Sequence, residues 1–237
     1  MTQFVEDCPR CGTNKTTFDL LGSTEVGHGY VDWQLQYEAF GVCRHCKRGT
    51  IFKFELNEFE MYRAFAHAGV NGLLSHKGSI SNFVKTLGYV NQKDRKSNPP
   101  PEHLPVAIDA AFKEGATCMQ VQCYNAGGTM FRLCVDLATQ ELLPLETEPN
   151  APKGKQRRDL GLRLQWLFDH NKLPSDLHDL AQCIKEDGND GAHRGTLSKA
   201  DVEDLIDFTI HLLERRYTIP ARLAEASERR LARKNNH

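Results

Sequence analysis

The chain has 237 residues, of which 40% are hydrophobic and 26% charged, with a formal net charge of -1. That composition is ordinary for a globular protein with a sizeable core, and near-neutrality gives no strong sign of a nucleic-acid partner. No run approaches the ~18 apolar residues of a membrane span, and the start MTQFVEDCPR lacks the basic and apolar stretches of a secretory leader, so a cytoplasmic protein is expected.

Residues 1–56 predict a β-rich unit. From Val31 to Ala39 apolar residues alternate with polar ones, the period of a half-buried strand. Thr16–Leu21 and Thr50–Leu56 are its expected partners, and Gly22, Gly27 and Gly29 punctuate the connection before it. Residues 57–104 read as connecting helices and a linker. A helix is expected over Glu58–Ala68 and a second, short one over Ser79–Leu87. Asn91–Pro101 is polar and ends in three prolines, as exposed linkers do.

Residues 105–237 turn helical. Ala116, Met119, Cys123, Ala126, Met130, Leu133, Cys134 and Leu137 fall at helical spacing. Leu160, Leu164 and Leu167 mark a further helix, and Leu177, Leu180, Ala181 and Ile184 another. Ser198 and Asp201 have the spacing of a capping box, with Asp in place of Glu. Ile219-Pro220 interrupts the pattern before a polar helix, Ala221–Lys234, rich in Arg. The expected fold class is α+β: a small β-rich zinc ribbon followed by a mainly helical bundle of about four main helices.

The sharpest chemical signal is the pair Cys8-Pro-Arg-Cys11 and Cys43-Arg-His-Cys46. Each C-x-x-C turn puts two sulfurs on one side of a metal, and four thiolates satisfy tetrahedral zinc. The competing reading is redox chemistry, which calls for one C-x-x-C beside a βαβ pattern. Two pairs flanking an alternating strand favour one structural Zn2+ held by Cys8, Cys11, Cys43 and Cys46. His28 and His45 lie nearby but are not needed as ligands. The remaining cysteines, Cys118, Cys123, Cys134 and Cys183, read as small buried apolar residues.

Three motifs in the helical half carry a family resemblance. They are Phe131-Arg132-Leu133-Cys134-Val135-Asp136, Leu160-Gly161-Leu162-Arg163-Leu164, and Gly188-Asn189-Asp190-Gly191-Ala192-His193. Pro105 to about Tyr217 thereby resembles the bacterial domain-of-unknown-function family numbered 4145, usually grouped with the HEPN superfamily of helical domains. A zinc ribbon ahead of such a domain is a familiar architecture. The resemblance implies a setting in restriction or phage defence, frequent dimerisation, and a possible metal-independent ribonuclease.

The residues qualify those implications. Arg132 and Asp136 are four apart, share a helix face and can pair. Gly127-Gly128, a turn earlier, lets another helix approach closely. Asn189 and His193 would join this polar cluster, which equally suits a structural network. HEPN nucleases resemble one another in an Arg with four to six residues between it and a His. Here Glu186, Asp187 and Gly188 hold those places, so catalysis by Arg132 and His193 is the second reading. The first is a non-enzymatic protein that binds nucleic acid or another protein. Arg10, Lys15, Arg44, Lys47 and Arg48 surround the knuckles as phosphate contacts, and Trp33 or Tyr37 would stack on a base if exposed. A third is a homodimer assembled through the helical bundle. No membrane partner is expected.

Overall fold

The period-two patterns near the N-terminus become strands of a single sheet. The computed structural model describes residues 1–66, 69–182 and 197–235, and the chain divides into two units, Met1–Asn91 and Gln92–His237.

The first unit contains β1 (Thr2–Glu6), β2 (Thr16–His28), β3 (Leu35–Cys43), β4 (Gly49–Leu56), β5 (Gly78–Ser79) and β6 (Val84–Tyr89). Their order in the six-stranded sheet is β5-β1-β2-β3-β4-β6. All neighbours are antiparallel except β1 and β5. Alternation selects the buried face: Leu35, Tyr37, Ala39 and Cys43 on β3, and Phe52, Phe54 and Leu56 on β4. Phe4, Phe18, Phe52 and Phe54 pack there, with Phe4 4.9 Å from Phe52 and 5.1 Å from Phe18 between ring centroids. Gly41 makes room for them, because a Cβ there would lie 2.8 Å from the Phe4 ring. Burial of each such ring stabilises the unit by about 2 kcal/mol.

Three expectations shift. The strand anticipated from Val31 begins at Leu35, because Gly29–Gln34 forms the hairpin loop, with the Gly29 N–H donating to the Gln34 carbonyl at 2.7 Å. Gly22 and Gly27 lie inside β2 at register shifts and not in a connection. The expected helix over Ser79–Leu87 is instead β5, a turn and β6. Phe54 pairs with Thr86 and Leu56 with Val84, so β6 satisfies backbone groups that β4 would leave open. The helix expected from Glu58 is present as α1, Phe59–Ala66.

The second unit contains α2 (Val106–Gln120), α3 (Tyr124–Gln140), α4 (Lys155–Arg158), α5 (Leu160–Asp169), α6 (Lys199–Leu213) and α7 (Ile219–Asn235). Residues 178–182 are also helical. The apolar series from Ala116 to Leu137 belongs to two helices. Gln122, with φ 63°, turns the chain between them. This turn rotates the buried face of α3 onto Phe131, Cys134, Val135 and Ala138, and leaves Leu133 and Cys123 exposed. Gly127 and Gly128 admit a helix on each side. A Cβ on Gly127 would meet the Met119 sulfur of α2 at 3.3 Å, and one on Gly128 would meet Leu197, just before α6, at 2.5 Å.

The Ser198–Asp201 capping box is present at the start of α6. A π-helical turn, Glu214–Thr218, connects α6 to α7. Pro220 has no N–H to donate to the preceding turn and its ring crowds that carbonyl, which the wider turn accommodates. None of the described helices is long and apolar enough to cross a membrane.

Candidate metal centre

Two hairpin turns at one end of the sheet carry the four cysteines. Cys8 and Cys11 lie between β1 and β2, while Cys43 ends β3 and Cys46 follows it before β4. Because β2 and β3 are neighbours, with Phe18 opposite Cys43, the two turns lie side by side.

Each turn is built the same way. The Gly12 N–H donates to the Cys8 carbonyl at 2.8 Å, and the Cys8 N–H donates to the Thr13 carbonyl at 2.9 Å. In the second turn the Lys47 N–H donates to the Cys43 carbonyl at 2.9 Å, and the Cys43 N–H donates to the Arg48 carbonyl at 3.1 Å. Gly12 and Lys47 both adopt left-handed backbone, with φ 72° and 61°. Two sequence segments 35 positions apart thus form one repeated knuckle.

The four sulfurs all lie within 4.8 Å of one another. Cys8 and Cys46 are 3.8 Å apart, and all four thiols are free of disulfides. A tetrahedron with metal–sulfur bonds of ~2.3 Å has sulfur–sulfur edges of ~3.8 Å. The cluster therefore fits a metal ion such as zinc, whose preferred donors are thiolates.

The site is asymmetric. Cys8 and Cys43 are buried, Cys46 is half-buried and Cys11 is exposed. Burial pushes the Cys8 thiol up to about 11. The Thr13 hydroxyl and N–H, helped by His45, hold Cys11 down at about 5. Burial raises Cys43, but backbone donors at Cys46 and His45 outweigh it and leave that thiol lowered. His45 sits outside the sulfurs, with Nδ1 3.3 Å from the Thr13 hydroxyl and 3.8 Å from the Cys11 sulfur. Thr13 and His45 thus flank the Cys11 sulfur from outside the cluster; the sequence marks His45 as a neighbour but gives no sign of Thr13.

Arg10, Lys15, Arg44, Lys47 and Arg48 are all exposed around the knuckles. Arg44 is already engaged, donating to Asp19 Oδ1 at 2.6 and 3.0 Å and to Gln3 at 2.8 Å. Among the described residues, none of the other four meets a carboxylate within ion-pair distance. Tyr37 is fully buried, so it offers no face to a base. Trp33 is half-buried and packs edge-on against Phe59 at 5.8 Å.

In the helical unit, Asp136 has a partner outside its own helix. Asp136 pairs with Arg163 of α5. Arg163 is wholly buried. Its Nε donates to the Thr139 hydroxyl at 3.0 Å and its Nη1 to the Arg157 carbonyl at 2.5 Å. Gln140 donates to the second Asp136 oxygen at 2.6 Å. Arg132 lies half-buried on α3. Asn189 and His193 lie outside the described residues, as does Cys183. The missed member, Arg163, had one signal in the sequence: it falls on the Leu160, Leu164, Leu167 stripe, which is buried.

A four-cysteine cluster at the end of a mainly antiparallel sheet, joined in sequence to a helical unit, is the class that fold and site define. The chain belongs to the family described as a domain of unknown function (DUF4145), whose model matches residues 113–232, just over half of its length. No curated protein matches the chain, and no solved structure does.

Proposed function

We propose that this is a zinc-ribbon protein, non-enzymatic at its metal, that binds nucleic acid through the knuckle end of its sheet. One observation carries the reading. Arg10, Lys15, Lys47 and Arg48 are exposed around the paired turns without a carboxylate partner among the described residues. Holding several like charges on two short turns is unfavourable unless the turns are fixed from within, and a four-thiolate metal does that. Four protein sulfurs leave no position for an activated water, so the metal orders the turns and takes no part in chemistry.

The test is binding of a short labelled duplex and a single strand at several salt concentrations. Phosphate contacts by about four cations give a steep loss of affinity with salt, and each cation removed lowers the logarithmic slope by about one. Lys47→Gln and Arg48→Gln should each flatten the dependence. An affinity independent of salt would contradict the reading.

A further inference from the structure

The helical unit has a cleft of its own. A cavity of about 410 Å³ lies between the loop 95–98, the end of α2, the start of α3 and the start of α6. That volume is in the range of single small-molecule sites. Its floor is apolar: Phe131 and Ile206 are both buried in the core, and Met119 packs beside them. Tyr124 adds an aromatic wall.

The rim has the opposite character. Arg95, Lys96 and Lys199 line it against a single acid, Glu203, which Lys199 holds at 3.2 Å. Lys96 meets no carboxylate within ion-pair distance among the described residues. The loop bearing Arg95 and Lys96 is fastened to the cleft, because Arg95 Nη1 donates to the Gln120 carbonyl at 3.4 Å and the Gln120 amide donates back to the Arg95 carbonyl. The N-terminus of α6 is already occupied by its own Ser198–Asp201 cap. Any anion held here is therefore held by side chains and not by the helix end.

We propose that this cleft binds a phosphate monoester carrying an apolar or aromatic body. The body rests on Met119 and against Tyr124, above the buried Phe131, and the phosphate sits among Arg95, Lys96 and Lys199. Three cations and one carboxylate leave two positive charges on the rim, matching a monoester that carries about −1.5 to −2 at neutral pH. A carboxylate would leave one of those charges unmatched. A free inorganic phosphate would leave the apolar floor uncovered.

Phenyl phosphate is a direct probe, with methionine methyl groups as the reporters in NMR. The chain has four methionines, and only Met119 lines this cleft. Phenyl phosphate should move the Met119 signal while Met61 stays in place. Lys96→Glu and Lys199→Glu should each weaken binding by about tenfold or more, with Lys96→Gln as a milder second variant. Both lysines are exposed, and an unchanged helical signal in circular dichroism verifies that the helical unit is folded. Lys47→Glu in the knuckle should leave the titration unchanged, which keeps this proposal separable from nucleic-acid binding. The proposal is overturned if Met119 does not respond, or if benzyl alcohol or inorganic phosphate binds as tightly as phenyl phosphate. It is equally overturned if the lysine substitutions have no effect or Lys47→Glu abolishes binding.

Discussion

Lys47 stands in the second knuckle where Gly12 stands in the first. Both donate a backbone N–H to the carbonyl of the cysteine four residues back, and both hold left-handed backbone. Gly adopts that conformation freely, whereas a side chain there costs about 1–2 kcal/mol. The strained position is therefore the basic one.

This relationship predicts opposite outcomes for exchange. Lys47→Gly should leave the metal-loaded fold unchanged or about 1 kcal/mol more stable, since relief of strain is partly offset by the freedom of glycine in the unfolded chain. Gly12→Lys should cost about 1–2 kcal/mol. Urea unfolding of zinc-loaded protein measures both. Equal losses would show that the two turns are not equivalent.

Metal content gives a second test. Elemental analysis should find one zinc per chain in the wild type and none in Cys43→Ser, because Cys43 is a fully buried corner of the cluster. Binding energy at such a site is folding energy. The β-sheet signal in circular dichroism should fall on chelation, while the helical signal persists. A metal-free protein with an intact sheet would refute the assignment.

The pair of buried Arg163 and half-buried Asp136 yields a third. Asp136→Ala leaves a guanidinium inside the helical unit without its counter-charge, at a cost of about 3 kcal/mol. Replacing both, as Arg163→Met with Asp136→Leu, should cost less than Asp136→Ala alone, since neither charge then needs compensation. Thermal or urea unfolding of the wild type and these two variants measures both costs. A double variant worse than the single one would mean that the ion pair is a net stabiliser.

The cap of α6 yields the fourth. The Ser198 hydroxyl accepts the Asp201 N–H at 3.3 Å, and Asp201 returns the contact to the Ser198 N–H at 2.7 Å. Ser198→Ala should destabilise the helical unit by about 1 kcal/mol. Ser198→Asp, which keeps an acceptor, should recover most of that loss. Identical stabilities for wild type and Ser198→Ala would deny the cap any contribution.

Features fixed by short spacing were legible without coordinates. The two C-x-x-C pairs, the Ser198–Asp201 cap, the Gly127-Gly128 approach and the alternating core of β3 and β4 each depend on residues a few positions apart. Local geometry there leaves few alternatives. The identity of β6 was not legible. Val84–Tyr89 is short and its strand state comes from the exposed edge of β4, a partner about 30 residues earlier in the chain. Likewise, nothing local indicated that Arg44 would be spent on Asp19, or that Asp136 would pair with Arg163 of another helix.

The sequence by itself determined that four cysteines belong together, because two C-x-x-C pairs offer the four thiolates that a tetrahedral metal site takes. Tertiary structure decided how they meet: β2 and β3 run side by side, which brings Cys8 and Cys46 to 3.8 Å. It also decided which basic residues remain available around them, and that an apolar floor and a charged rim converge on one cleft in the helical unit. Those outcomes depend on strand pairing and helix packing between distant segments, which no local pattern of residues encodes.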